Sequence, residues 1–177
     1  MQFDLRDGSP KLAELPEGYQ FVPWSHKTLA AHSEAKYRSF RNELDANVFP
    51  CLGDAEGCLR LMKEISCRQG FIKEATWLIQ YLDPDTDRLE NCGTVQGIRE
   101  QADVGSIQNV GIVPVHRGKG LGAALLYKSL AGFERAGVNF VSLEVTAQNV
   151  GALRLYEKMG FQVLRTVFKS VDVEYQT

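Results

Sequence analysis

The segment Ile112-Val113-Pro114-Val115-His116-Arg117-Gly118-Lys119-Gly120-Leu121-Gly122-Ala123 constrains this chain more than any other. An apolar run closes on a proline, a glycine-rich turn follows, and a helical pattern starts near Leu121 with Leu126, Leu130 and Phe133 on one side. Such a strand–turn–helix can aim several backbone N–H groups at one point, where the helix N-terminus adds partial positive charge. Local composition agrees. Val104 to Phe133 holds no Asp or Glu but carries Arg117, Lys119 and Lys128, although the whole chain has 20 Lys+Arg against 22 Asp+Glu. The plainer alternative is a flexible turn ahead of a helix. The coincidence of glycines, basic residues and missing acids favours an anion site.

Two phosphate-binding patterns test that reading. A Walker A loop needs Ser or Thr after Gly-Lys, and Gly118-Lys119 is followed by Gly120. Gly118, Gly120 and Ala123 satisfy the dinucleotide fingerprint, but only 54 residues remain after Ala123, too few for both halves of a Rossmann domain. The net charge of −2 argues against a nucleic-acid binder. No apolar run reaches membrane-spanning length and the first residues lack a signal-peptide pattern, which leads us to expect a cytoplasmic protein. Cys51, Cys58, Cys67 and Cys92 lack CxxC spacing, so reduced thiols are expected and no metal site.

At 177 residues the chain is expected to form a single domain, 1–177, with residues 1–17 as an irregular lead-in. Gly18 to Trp24 reads as a strand, Ser25 to Arg41 as a helix, Asn42 to Gly53 as a loop, and Asp54 caps a second helix. Three strands follow at Ala75–Leu82, Cys92–Arg99 and Val104–Val113. Then come a helix over Leu121–Ala136, a strand over Phe140–Val145 and a short helix over Val150–Met159. Strands at Phe161–Phe168 and Val171–Tyr175 are expected to complete a mixed α/β sheet.

Arg117-x-x-Gly120-x-Gly122 resembles the (Arg/Gln)-x-x-Gly-x-(Gly/Ala) loop of the GNAT superfamily of acetyl-CoA-dependent N-acetyltransferases. Ile112-Val113-Pro114 is similar to that family's lead-in. Leu143-Glu144-Val145 and Asn149-x-x-Ala152-x-x-Leu155-Tyr156-Glu157-Lys158-Met159-Gly160-Phe161 resemble its second signature. The resemblance implies a mostly antiparallel sheet of six to seven strands with about four helices, split by a V-shaped cleft. It implies that acetyl-CoA enters that cleft with no metal. The pyrophosphate would then lie on the N–H groups of Arg117, Gly118, Gly120, Gly122 and Ala123, with Lys119 and Leu121 in the same loop. Ile112 and Val113 would pair with the pantetheine as an added strand.

Three further residues carry two readings each. Asn149 is either a helix cap or a cofactor contact. Tyr156 is either a core tyrosine or the acid that protonates the leaving CoA thiolate; a phenol near pKa 10 can serve a thiol near 8.5. The strand before Pro114 offers no carboxylate, so the base is Glu144, a water held by Gln108 or Asn109, or none if the amine arrives neutral. Glu144 also suits a plain ion pair. The resemblance thus implies direct acetyl transfer to a primary amine of a small molecule or peptide, by a monomer or homodimer. The alternative is a catalytically silent CoA-binding sensor or interaction module.

Overall fold

The computed structural model describes residues 1–8 and 14–168. Its elements run β1 (Gln2–Asp4), β2 (Tyr19–Pro23), α1 (Leu29–Phe40), α2 (Leu44–Val48), α3 (Ala55–Ser66), β3 (Phe71–Leu82), β4 (Leu89–Arg99), β5 (Val104–Ile112), α4 (Leu121–Arg135), β6 (Phe140–Leu143) and α5 (Val150–Met159). The strands form one sheet in the order β1-β6-β5-β4-β3-β2. Neighbours pair antiparallel except β5 with β6, which run parallel. This is the mixed, mostly antiparallel sheet expected from the sequence, with five α-helices around it.

Helices lie on both faces, as alternate residues of β4 show. A Cβ on Gly93 would meet Leu125 of α4, whereas Thr94 bonds His32 of α1 on the opposite face. The α4 face holds the apolar core: Val95, Ile107, Leu125, Leu126, Leu130, Phe133 and Val141 are buried together. Close approach fixes α4 there. Ser129 Oγ donates to Ala75 O at 2.7 Å, and a Cβ on Gly132 would fall on Glu74 O and Ala75 Cα. On the other face Asp54 caps α3 by accepting from Gly57 N at 2.7 Å, as its position before the apolar repeat foretold.

Three expectations need correction. Residues 1–17 are not wholly irregular: Gln2, Phe3 and Asp4 pair with Ser142, Val141 and Phe140, and a 3-10 turn over Leu5–Asp7 follows. The alternation Met1, Phe3, Leu5 is too short to read as a strand in isolation; the open edge of β6 supplies what it lacks. The expected strand over Phe161–Phe168 reduces to a single bridge, Gln162 with Gln2. Within the described residues β1 already holds the outer edge of β6, so that edge is not free for the later segment. The expected loop over Asn42–Gly53 contains α2 and a 3-10 turn at Pro50–Leu52. The expected strand over Val171–Tyr175 lies outside the described residues.

The sheet opens where the site should be. β5 pairs with β6 only from Val104 to Ile107, opposite Phe140 to Leu143. From Gln108 onward that edge of β5 has no strand beside it among the described residues. On the β4 side, Thr94 faces Gly111 while Gln96 faces Gln108, so β5 carries one extra residue. Asn109 sits in this bulge with φ +48°, a left-handed conformation that Asn tolerates better than most residues. A bulge bends and twists its strand, which accounts for β5 leaving β6 at this point.

Candidate active site

The glycine loop begins where β5 ends. Val113 N–H still bonds Cys92 O of β4 at 2.8 Å, so the amide of Ile112 points to the opposite, open edge. A 3-10 turn over Pro114–His116 turns the chain. Gly118 and Gly120 then adopt φ +77° and +78°, and Gly120 is the N-cap of α4. A Cβ at either glycine would meet nothing within 4 Å. Glycine is therefore required by the left-handed backbone, and the space beside it stays open. Gly122 lies within the helix, where a Cβ would sit 3.4 Å from Leu155 of α5, an ordinary contact that alanine could make.

The first helical bond of α4 comes from Ala124 N to Gly120 O. The N–H groups of Leu121, Gly122 and Ala123 therefore leave the helix end without intrahelical acceptors. This is a donor cluster at the positive end of a helix 15 residues long. Arg117 is different. Its N–H bonds Pro114 O, and its guanidinium donates to Ile112 O (2.9 Å), Glu43 Oε1 (2.7 Å) and Ser39 O (3.0 Å). Ser39 is in the last turn of α1, so Arg117 ties the end of β5 to the carboxyl end of that helix.

The window without acids in sequence is thus not without acids in space. Glu43 reaches Arg117, and Glu90 Oε2 lies 3.3 Å from His116 Nε2. Lys119 Nζ donates to Tyr19 OH at 2.9 Å and stands over the Tyr19 and Tyr81 rings. Lys128 lies over Phe21 and Trp77. Each of these basic side chains already has partners within the chain, and the donors left without acceptors at the helix start are backbone N–H groups.

A sequence profile described as the Acetyltransferase (GNAT) family matches residues 62–161, more than half of the chain. The chain belongs to this family. The mycothiol acetyltransferase of Thermobispora bispora is 39% identical over 82 residues, a match covering 41% of this chain and 28% of that protein. The [ribosomal protein bS18]-alanine N-acetyltransferase of Escherichia coli K12 is 39% identical over 73 residues, covering 40% and 49%. A GCN5-related N-acetyltransferase from Sphaerobacter thermophilus superposes with a TM-score of 0.66 at 27% identity, covering 90% of this chain and 45% of that one. The match spans less than half the length of each of these three proteins.

The second GNAT signature lies on β6 and α5. Asn149 caps α5, its Oδ1 accepting from Ala152 N at 3.1 Å, so the capping role is made. Tyr156 is 7% exposed, its ring 5.8 Å from that of Phe161, on the helix whose Leu155 borders Gly122. Glu144 directly follows the last paired residue of β6, at the apex of the opening. Its side chain is exposed, and its charge favours protonation of the Met1 amino group, against the larger effect of burial.

The face of the sheet opposite α4 carries a buried polar layer centred on Lys36, a residue that the sequence did not single out. His32 Nδ1 lies 2.8 Å from Thr94 Oγ1, which Gln96 Nε2 also contacts at 2.6 Å. Burial, then the charge of Lys36, lowers the His32 pKa to about 3, so the ring is neutral. Lys36 is fully buried, and its Nζ donates to Asn109 Oδ1 at 2.9 Å. Burial pushes the Lys36 pKa down to about 7, opposed by the nearby Cys58 and Cys51. The available signal was the run His32, Ser33, Lys36, Ser39, which puts polar residues along one side of a helix. A cavity of about 260 Å³ lies beyond it, between the end of α1 (Arg38, Arg41, Glu43) and Val113–Val115.

Proposed function

We propose that this GNAT chain moves an acetyl group from acetyl-CoA to a primary amine of a small molecule or peptide. The observation that carries the reading is one continuous feature. The open edge of β5 from Gln108 to Ile112 leads directly to the unpaired amides at the start of α4. An extended amide chain ending in a pyrophosphate fits that path, since the edge offers strand-type pairing and the helix end offers N–H donors. The open space at Gly118 and Gly120 supports the fit.

In this reading the amides of Gly118 to Ala123 bind the phosphates, and Ile112 N–H pairs with the pantetheine. Arg117 fixes the loop instead of touching the ligand, because its side chain and N–H are already bonded. Acetyl-CoA supplies an acyl thioester. Tyr156 protonates the departing thiolate, and Glu144, at the apex of the opening, takes the proton of the amine. Asn149 caps α5 and turns its remaining polar atoms to the cofactor.

Calorimetry with CoA, followed by thiol release from acetyl-CoA with a panel of amines, tests the proposal. CoA binding with amine-dependent thiol release is expected, together with loss of release in Tyr156→Phe. CoA binding without release for any amine would favour the silent sensor; no CoA binding would sink both.

A further inference from the structure

Lys36 stands where a lysine is costly. It is fully buried, and its Nζ donates one hydrogen bond, to a neutral amide oxygen. The titratable groups set against it are His32 one turn earlier on α1, Cys58 on α3 and Cys51 in the 3-10 turn. β4 presents Thr94 and Gln96 to this layer and β5 presents Asn109, none of which titrates. No carboxylate among the described residues acts on it, whereas buried charged groups in folded proteins are as a rule paired. Two other polar atoms of the same layer, His32 Nε2 and Gln96 Oε1, are buried with no partner among the described residues. Packing between a helix and a sheet does not call for this; a methionine would fill the volume without the desolvation.

What the lysine holds is the bulge. Asn109 is the second residue after the last β5–β6 pair, has φ +48° and is half-buried. With Oδ1 held by Lys36, the Nδ2 group of the amide keeps its two N–H donors for another acceptor. Asn109 lies on the stretch of β5 past its last pair with β6, where the acyl group lies if acetyl-CoA binds as proposed above.

We infer that Lys36 is a positioning residue for acyl transfer: its bond to Asn109 keeps the bulge in place and turns the Asn109 N–H donors to the acyl oxygen. Donors fixed in advance at an oxygen that gains charge accelerate transfer without tightening ground-state binding. The inference rests on the acetyl-CoA reading, and its test separates the two.

The test uses Lys36→Met, Asn109→Gly, which keeps the left-handed backbone accessible, and the double variant. CoA affinity is read by calorimetry, turnover by thiol release and folding by the thermal midpoint at pH 7. We expect CoA Kd within twofold of wild type in all three, and turnover at least tenfold lower in each single variant. The double variant should be no slower than the worse single, because both remove one interaction, and Lys36→Met should melt no lower than wild type. Wild-type turnover in Lys36→Met overturns the inference while leaving the acetyl-CoA reading standing, as do losses that multiply in the double variant. A Lys36→Met protein that melts below wild type assigns the lysine to the fold and overturns it too. Wild-type protein that binds no CoA removes the acetyl-CoA reading and this inference together.

Discussion

On one face of the sheet, α4 buries Leu121, Ala124, Leu125, Leu126, Leu130 and Phe133. On the other, α1 buries His32, Ser33, Lys36 and Ser39 beside a single alanine. Both helices cross β4 and β5, yet one packs as hydrocarbon and the other as a polar layer. Apolar burial is worth about 25 cal/mol per Å², so the α4 face supplies cohesion. The α1 face gives up much of that gain to hold amide, imidazole and amine groups beneath the bulge at Asn109. An apolar layer and a buried polar layer are separated by the thickness of one sheet. The loop joining β5 to α4 connects them, with Arg117 reaching back to the end of α1.

The largest effect should come from breaking the apolar face. Phe133 is fully buried, and Phe133→Ala should cost about 3–5 kcal/mol through lost transfer energy and the cavity left behind. Gly132→Ala should be comparably severe, since its Cβ would fall on backbone atoms of Glu74 and Ala75. Denaturant unfolding measures both. A loss below about 1 kcal/mol in both variants would mean that this face does not carry the fold.

The polar face should respond with the opposite sign. Lys36 binds a proton below about pH 7 when folded and below about 10.4 when unfolded. Between those values the unfolded chain holds more protons, so stability rises with pH, on the order of a few kcal/mol across the window. Lys36→Met removes that term. Its advantage over wild type should be greatest at pH 7 and below, and should vanish as pH climbs past 10. Thermal midpoints at pH 7 and pH 10 check the slope; equal slopes for variant and wild type would place a hidden acidic partner beside the lysine.

These two faces were unequally legible from the sequence. α4 announced itself because leucines at helical spacing behave alike wherever they pack. The glycine loop was legible because Gly118 and Gly120 answer a backbone need set within a few residues. The α1 face was not, since a polar residue on an amphipathic helix looks the same whether it meets water or a bulge 73 residues away. Charge misled for the same reason: the acid-free window gave no hint that Glu43 would close on Arg117. β1 was missed because three residues form a strand only against the partner that β6 provides.

Where the faces meet, the loop should lose function more than stability. Gly120→Val places a β-branched residue at φ +78°, which costs about 1–2 kcal/mol of fold. It also puts a side chain into the open space where the proposed function lays the phosphates. CoA affinity by calorimetry should fall tenfold or more while the chain stays folded. Unchanged affinity would move the phosphates off this loop and leave the open edge of β5 without its terminus.

The smallest expected change lies at the start of α5, where one side chain serves two readings. Asn149→Ala removes the bond from Ala152 N, and loss of such a cap costs about 1 kcal/mol. Asn149→Asp or Asn149→Ser keeps a capping oxygen but discards the amide N–H donors. If Asn149 only caps, Ala destabilises, Asp and Ser do not, and all three bind CoA as wild type does. If the amide also touches the cofactor, CoA affinity falls in all three while stability falls in Ala alone. Asp should then suffer most, because its charge would face the phosphates. Thermal midpoints and calorimetry on the three variants separate the cap from the contact, and with them the share of α5 that belongs to the fold from the share that belongs to the cleft.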